Sequence, residues 1–403
     1  MDVVIPDDLV EKGKSRIVLL VMDGLGGLPD ANTGKTELEE AETPNLDALA
    51  RDAALGLLQP LLPGVTVGSG PGHLGLFGYD PLKWNIGRGV LSALGVGFEL
   101  QPGDVAVRLN FASRDPDGRI TDRRAGRPSD EENRRLVEKL RAGVKAPEGV
   151  QVFFEPEKEH RLVLVLRGEG LSAALHDTDP QETGVPPLPV RPMEPEAEAS
   201  ATLVQRILDD GMRVLADEPR ANALLARGFA EYVPYPTFRE RYGLHALAIA
   251  RYPMYGGVAR LVGMDVLPPP EKDEDVVTAL EQCWDAGYDF FFLHFKYVDS
   301  RGEDGDFSAK ASAIAAVDQL VARIVATKPD VLIVTGDHST PASYKAHSWH
   351  PVPLLIASPW TRGRDQDGFG ETTCLRGELG ILESKHLMTL ALAHAGRLTK
   401  FGA

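Results

Sequence analysis

Several short apolar runs along the chain stop abruptly in polar or glycine-rich clusters. Ile17-Val-Leu-Leu-Val-Met22 runs into Asp23-Gly-Leu-Gly-Gly27, and Phe290-Phe-Phe-Leu-His294 runs towards Asp299. Val331-Leu-Ile-Val-Thr335 opens into Gly336-Asp337-His338, and Pro353-Leu-Leu-Ile-Ala357 is a fourth such run. Unbroken apolar runs of this length are how strands of a parallel sheet read when both faces are covered. Helical patterns lie between them, from Thr43-Pro44 through Leu46, Leu49 and Ala50, over Ala309 to Ala326, and over Lys385 to Ala395. The alternation predicts an α/β core with a mostly parallel sheet flanked by helices. Ligands of such sheets sit beyond the carboxyl ends of the strands, which is where Asp23, Asp299, Asp337 and His338 fall.

The middle of the chain reads differently. Asp104 to Phe111 alternates like a half-exposed strand, Asp130 to Leu140 is a charged helix, and Gln151-Val-Phe-Phe and Arg161 to Leu166 are further strands. This predicts a smaller α+β domain at 101–185 inserted into a core formed by 1–100 and 186–403. The proline-rich stretch Val185 to Pro195 is the expected boundary, because proline cannot continue a helix or a central ladder, and Arg191 to Ala199 is expected to be a solvated connection.

The 403 residues carry 43 Lys and Arg against 59 Asp and Glu, a net charge of −16. That field repels polyanions, so neither nucleic acid nor an anionic membrane is an expected partner. A small anionic substrate is admitted where local cations or metal ions reverse the sign. Cys283 and Cys374 are far apart and have no CxxC spacing, which excludes a disulfide framework and a thiolate zinc site. No apolar run approaches the ~20 residues that cross a bilayer. Met1 to Lys14 is acidic where a signal peptide would be basic, so a cytoplasmic location is expected.

The densest chemistry is Asp337-His338, followed by His347 and His350, with acidic residues at neighbouring strand ends. This set offers oxygen and nitrogen ligands without thiolates, which suits Mn²⁺ first and also Zn²⁺, Co²⁺ or Mg²⁺. Two such ions would clamp the attacking and leaving oxygens of a phosphoryl transfer. The loop Gly64-Val-Thr-Val-Gly-Ser-Gly-Pro-Gly-His73 lacks the Gly-Lys-Ser/Thr of a P-loop. Ser69 near its end can instead present a hydroxyl and helix N–H groups to phosphate, and becomes a nucleophile candidate once a metal lowers its pKa.

Five stretches together resemble archaeal-type cofactor-independent phosphoglycerate mutase, of the alkaline-phosphatase superfamily. They are Val21 to Gly27, Val67 to Pro81, His294-Phe-Lys-Tyr-Val-Asp299, Thr335-Gly-Asp-His-Ser-Thr-Pro341 and His347-Ser-Trp-His-Pro-Val-Pro353. Asp122 to Arg127, His160 to Gly168, Asp177 to Pro180 and Ala259 to Met264 agree in the same order. The resemblance implies an alkaline-phosphatase-like core with an inserted lid. It implies interconversion of 3-phosphoglycerate and 2-phosphoglycerate through a phosphoserine on Ser69, with two divalent ions and no 2,3-bisphosphoglycerate. One ion would be held by Asp23, Ser69, Asp337 and His338, the other by Asp299, His347 and a residue of Ser300 to Asp306, for which Glu303 is the candidate. Arg123, Arg124 and Arg127 are the implied forks for phosphate and carboxylate, with Arg161, Arg227 and Lys296 behind them. His73, His160 and His350 are candidates for supporting or acid–base work. Two positions depart from the family: Glu303 stands where it usually has His, and Gly70 where it has Asp after the serine. A phosphatase or phosphodiesterase using the same Ser69, a phosphotransferase acting on another small alcohol or a phosphonate, and a non-catalytic metal-binding protein stay open at this point.

Overall fold

The computed structural model describes residues 5–84 and 86–402. The chain forms two compact units, one built from residues up to 84 and from 235 onward, the other from Ile86–Pro234. In chain order the strands are β1 (Ile17–Met22) and β2 (Ala54–Gln59) in the larger unit. The smaller unit follows with β3 (Val105–Arg114), β4 (Ile120–Asp122), β5 (Gln151–Pro156), β6 (Arg161–Arg167) and β7 (Ala223–Glu231). The larger unit resumes with β8 (Ala246–Ala250), β9 (Asp265–Val266), β10 (Phe290–Phe295), β11 (Val331–Thr335), β12 (Val352–Ala357) and β13 (Gly380–Glu383).

The larger unit is an eight-stranded sheet in the order β13-β2-β12-β11-β1-β10-β8-β9. β12 runs antiparallel to both neighbours and every other pair is parallel. Every residue of β1, β10 and β11 is buried, the reason these strands are unbroken apolar runs. The helix Phe307–Ala326 covers one face with Ile314, Val317, Val321 and Ile324, a 3.6-period stripe, and Asp306 caps its start by accepting from Ala309 N (2.9 Å). Register places Met22 beside Phe295 and Val21 beside Thr335. Three adjacent parallel strands therefore end level, and the residues that follow each one, Asp23, Lys296 to Asp299, and Asp337-His338, meet at one edge.

The smaller unit is an antiparallel five-stranded sheet, β4-β3-β6-β5, with β7 pairing on β3. Val105, Val107, Leu109 and Phe111 face a core shared with Leu136, Val137 and Leu140 of the helix Asp130–Gly143 and Val204, Ile207 and Leu208 of the helix Glu198–Val214. The unit is thus wider than the expected 101–185. β7 completes its sheet, with Leu109 opposite Ala226, and the helix Glu198–Val214 seals its core. The proline-rich stretch is interior to the unit and not its boundary. Val185 O accepts from Ile120 N (2.8 Å), Leu188 N donates to Thr178 O (2.9 Å) and Val190 N donates to Gln205 Oε1 (2.8 Å). Arg191 to Ala199 is the solvated connection expected, exposed at most of its positions, with Arg191 O accepting from His176 N (2.9 Å) and Ala197 buried in a short 3₁₀ turn.

Candidate active site

At the edge of the larger sheet, Asp23, Asp299, Asp337 and His338 are each at most 1% exposed. His338 Nε2 lies 3.3 Å from Asp23 Oδ1, 3.3 Å from Asp337 Oδ2 and 3.1 Å from Ser69 Oγ. Ser69 is the first residue of the helix Ser69–Leu76, which follows Gly68, so its hydroxyl stands at a positive helix end. The structure thereby gathers Asp23, Ser69, Asp337 and His338 around one point. A second group adjoins it: Asp299 Oδ1 is 3.5 Å from His347 Nε2, and the His347 ring stacks on His338 with centroids 3.7 Å apart. The Glu303 carboxylate, on the helix Tyr297–Asp304, is 3.8 Å from His347 Nε2 and 55% exposed.

The charge balance of this edge calls for cations. Burial alone would raise the Asp23 pKa, but the adjacent imidazoles of His294 and His338 and the charge of Lys296 hold it well below the usual range. Burial likewise opposes protonation of His338, yet Asp337, Asp23 and Asp299 draw its pKa up to about 9. Lys296 Nζ sits 3.1 Å from Asp23 Oδ2 and pairs with Asp299 Oδ2. Lys296, expected among the groups that hold substrate, is thus paired here with two carboxylates. Asp23 Oδ1 and Asp337 Oδ2 are buried with no hydrogen-bond partner among the described residues. Orphaned carboxylate oxygens aimed at an imidazole are costly unless a cation meets them, so the donor set fits a hard or borderline divalent metal ion.

Two neighbours of Asp23 escaped the sequence reading. The Tyr255 phenol donates to Asp23 Oδ2, and its ring stacks on His294 with centroids 3.6 Å apart. His294 Nε2 is 3.4 Å from the same oxygen. His294 sits inside a quoted motif and was findable there. Tyr255 is 232 positions from Asp23 and carries no local signal. His73 takes a supporting place: its Nδ1–H donates to Ser69 O (2.8 Å) and lies 3.2 Å from Asp337 Oδ2. His350 bonds Ser348 Oγ (3.1 Å) and stacks on Trp349.

In the smaller unit the cations divide into two sets. Arg123 spends its fork on Asp179, at 2.9 and 2.8 Å, and is therefore engaged internally. Asp122 ties its turn together by accepting from Arg124 N (2.8 Å) and Gly126 N (2.6 Å), which leaves the Arg124 and Arg127 side chains exposed. Arg161 and Arg227 lie in a cluster with Arg88 and Arg108, and Arg227 Nε also stands 3.6 Å from Asp179 Oδ2. Burial and the charges of Arg88, Arg161 and Arg227 push the Arg108 pKa down to about 10, against some relief from Glu157. Arg108 Nε and Arg227 Nε are buried without a hydrogen-bond partner among the described residues. His160 adjoins these charges, and burial, with Arg161 next, lowers its pKa to about 4. Arg88 and Arg108 were missed, although Arg108 interrupts the apolar β3 at a half-buried position, a readable sign.

Known proteins bear on this arrangement. A profile of the 2,3-bisphosphoglycerate-independent phosphoglycerate mutase family matches residues 50–221. The chain is 52% identical, over 98% of its length and 98% of the relative's, to a probable 2,3-bisphosphoglycerate-independent phosphoglycerate mutase of Thermus thermophilus. The chain belongs to this family. A second probable mutase of the same description, from Deinococcus radiodurans, is 49% identical over 98% of both chains. Among solved structures, the PH0037 protein of Pyrococcus horikoshii is similar at 30% identity with a TM-score of 0.82, over 97% of this chain and 100% of the other. The cofactor-independent phosphoglycerate mutase of Thermoplasma acidophilum is similar at 28% identity with a TM-score of 0.73, over 95% and 100%. Mutases of this family are metal-dependent isomerases that need no 2,3-bisphosphoglycerate, which agrees with the buried acidic edge described above. Among the described residues no helix is long and apolar enough to cross a membrane.

Proposed function

We propose that this chain interconverts 3-phosphoglycerate and 2-phosphoglycerate through a phosphoserine at Ser69, as a glycolytic and gluconeogenic enzyme of the cytoplasm. The observation that carries the reading is the Ser69 hydroxyl, 3.1 Å from His338 Nε2, in a buried edge that also holds Asp23 and Asp337. In this reading Asp23, Ser69, Asp337 and His338 hold one divalent ion, and Asp299, His347 and Glu303 hold the other. Mn²⁺ is the preferred ion, because the set mixes carboxylates with imidazoles. When bound, the ions neutralise phosphoryl oxygens and lower the pKa of the serine hydroxyl.

Ser69 Oγ gives up its proton and bonds phosphorus as the bond to the substrate oxygen breaks, leaving glycerate with a free hydroxyl. The other glycerate hydroxyl then loses its proton, takes the phosphoryl group, and frees Ser69. Lys296 fixes Asp23 and Asp299 throughout, and Tyr255 and His294 orient Asp23. The carboxylate and phosphate of the substrate require guanidinium partners. Arg88, Arg108, Arg161 and Arg227 are assigned that work ahead of Arg124 and Arg127, with Arg123 setting the position of Asp179.

The test is an assay of 2-phosphoglycerate formation from 3-phosphoglycerate with Mn²⁺ and without 2,3-bisphosphoglycerate, with free phosphate followed in parallel. Isomer with less than a few per cent phosphate release is expected. Phosphate without isomer makes the protein a hydrolase and overturns the mutase reading. A further expectation concerns Glu303, whose carboxylate makes its site harder than imidazole would. Glu303→His should move the preference from Mn²⁺ and Mg²⁺ towards Zn²⁺ and Co²⁺ by at least several-fold in activation constants. An unchanged order of preference would remove Glu303 from the ligand set.

A further inference from the structure

Thr340 belongs to the motif that supplies Asp337 and His338, yet the mutase mechanism gives it no task. It is fully buried. Its hydroxyl donates to Asp299 Oδ1 at 2.7 Å and lies 3.0 Å from His338 Nδ1. A hydroxyl has one proton. That proton goes to the carboxylate, so the oxygen accepts from His338, and Nδ1 is the nitrogen that keeps its proton when Nε2 gives its own up to an ion. The opposite nitrogen, Nε2, is the one that faces Asp23, Asp337 and Ser69. One hydroxyl therefore touches a residue of each proposed ion position and fixes which nitrogen His338 offers.

The surroundings hold Thr340 firmly. Its N–H donates to Gly26 O (3.0 Å), and its carbonyl accepts from the buried Lys310 Nζ (2.8 Å). Two glycines make room for it. A Cβ on Gly24, at φ +66°, would lie 2.6 Å from Thr340 Oγ1, and one on Gly302 would lie 2.1 Å from Thr340 O. The loop after β1, the helix bearing Asp299 and the loop after β11 thus close on this one side chain.

We propose that Thr340 is the positioning residue that couples the two ion positions. It assigns His338 to the Asp23–Ser69–Asp337 position and withholds it from the Asp299–His347 position, so that ordering of one ligand set orders the other. Hydroxyls and carbonyls behind the ligands tune metal affinity by ~10–100-fold in other sites. The inference rests on the two-ion reading, and the test separates the two.

Mn²⁺ is titrated into metal-free protein, with free Mn²⁺ counted by electron paramagnetic resonance and folding followed by circular dichroism. The native chain should bind two Mn²⁺. Thr340→Val, close in shape but without the hydroxyl, should weaken both positions by at least about tenfold, and Thr340→Ser should restore native binding. Thr340→Ala serves the same purpose if the valine variant does not fold. Native-like affinity in the valine or alanine variant overturns the role of Thr340 while leaving the two-ion reading intact. Equal loss in the serine variant also overturns it, because shape and not the hydroxyl would then be responsible. A native chain that binds fewer than two Mn²⁺ overturns both.

Discussion

Ser69→Ala will lose phosphoryl transfer by at least about 10³-fold, equivalent to about 4 kcal/mol of transition-state stabilisation, while keeping its fold and most of its metal. The loss is expected because the group that bonds phosphorus is gone, and with it the hydroxyl that meets His338 Nε2 at 3.1 Å. Folding should survive for local reasons. Ser69 is half-exposed, it is the first residue of its helix, and Gly68 occupies the capping position, with no side-chain cap hydrogen bond. Alanine has the higher helix propensity there, so the melting temperature should stay within a degree or two of native. The backbone carbonyl of residue 69 still accepts from His73, which preserves the approach of His73 to Asp337. Asp23, Asp337 and His338 remain as three ligands of the proposed ion position, so Mn²⁺ binding should weaken and not vanish. Turnover in the alanine variant, measured by the isomerisation assay at saturating Mn²⁺, would remove Ser69 as nucleophile.

What the sequence discloses here follows from how parallel sheets are built. β1, β10 and β11 are buried on both faces and thus unmistakable as apolar runs, and chemistry-bearing residues come directly after each. Asp23, Asp299, Asp337 and His338 were legible for that reason, His347 stood out beside Asp337-His338, and Ser69 stood out in its glycine-rich loop. The extent of the smaller unit was not legible. β7 pairs with β3 across more than a hundred residues of chain, and nothing local in Ala223–Glu231 announces its partner. The proline-rich stretch misled because proline removes only its own donor. The carbonyl of Val185 and the N–H groups of Leu188 and Val190 still find partners inside the unit. The arginines divided in a way that spacing could not foresee: Asp179 takes up Arg123, while burial and mutual repulsion single out Arg108. Tyr255 reaches Asp23 only through the packing of the helix Pro253–Leu261. Lys310 is a different case. It stands four residues before Ile314 on the same stripe as Val317, Val321 and Ile324, a cation on the apolar side of a helix, and that placement is itself a signal of buried electrostatic work.

That work sets the second large effect. Lys310→Met will destabilise the larger unit by about 3–5 kcal/mol, the range seen when one partner of a buried charged group is removed. Lys310 is fully buried. Burial presses its pKa down, and Glu37, Glu371 and Asp299 offset part of that. Its ammonium donates to Gly26 O (2.9 Å) and Thr340 O (2.8 Å), and lies 4.0 Å from Glu37 Oε1. Methionine matches the length and apolar stem but leaves Thr340 O without its donor, while Gly26 O keeps the Thr340 N–H (3.0 Å). It also leaves the buried Glu37 and the half-buried Glu371 without their cation. Glu371 keeps Gly27 N (2.9 Å) and Thr36 Oγ1 (2.5 Å), and Glu37 keeps Ala342 N (2.7 Å). Glu37 Oε2, however, already lacks a hydrogen-bond partner among the described residues, so Glu37 carries the larger part of the penalty. Adding Glu37→Gln to Lys310→Met should therefore recover about 1–2 kcal/mol by removing the unpaired charge. The two variants are compared with the native chain by urea unfolding at pH 7 in the absence of metal, which separates stability from ion binding. A methionine variant within about 1 kcal/mol of native would mean that Lys310 contributes no net electrostatic support. Failure of Glu37→Gln to recover stability would instead place the loss at the Thr340 carbonyl, which Lys310 serves.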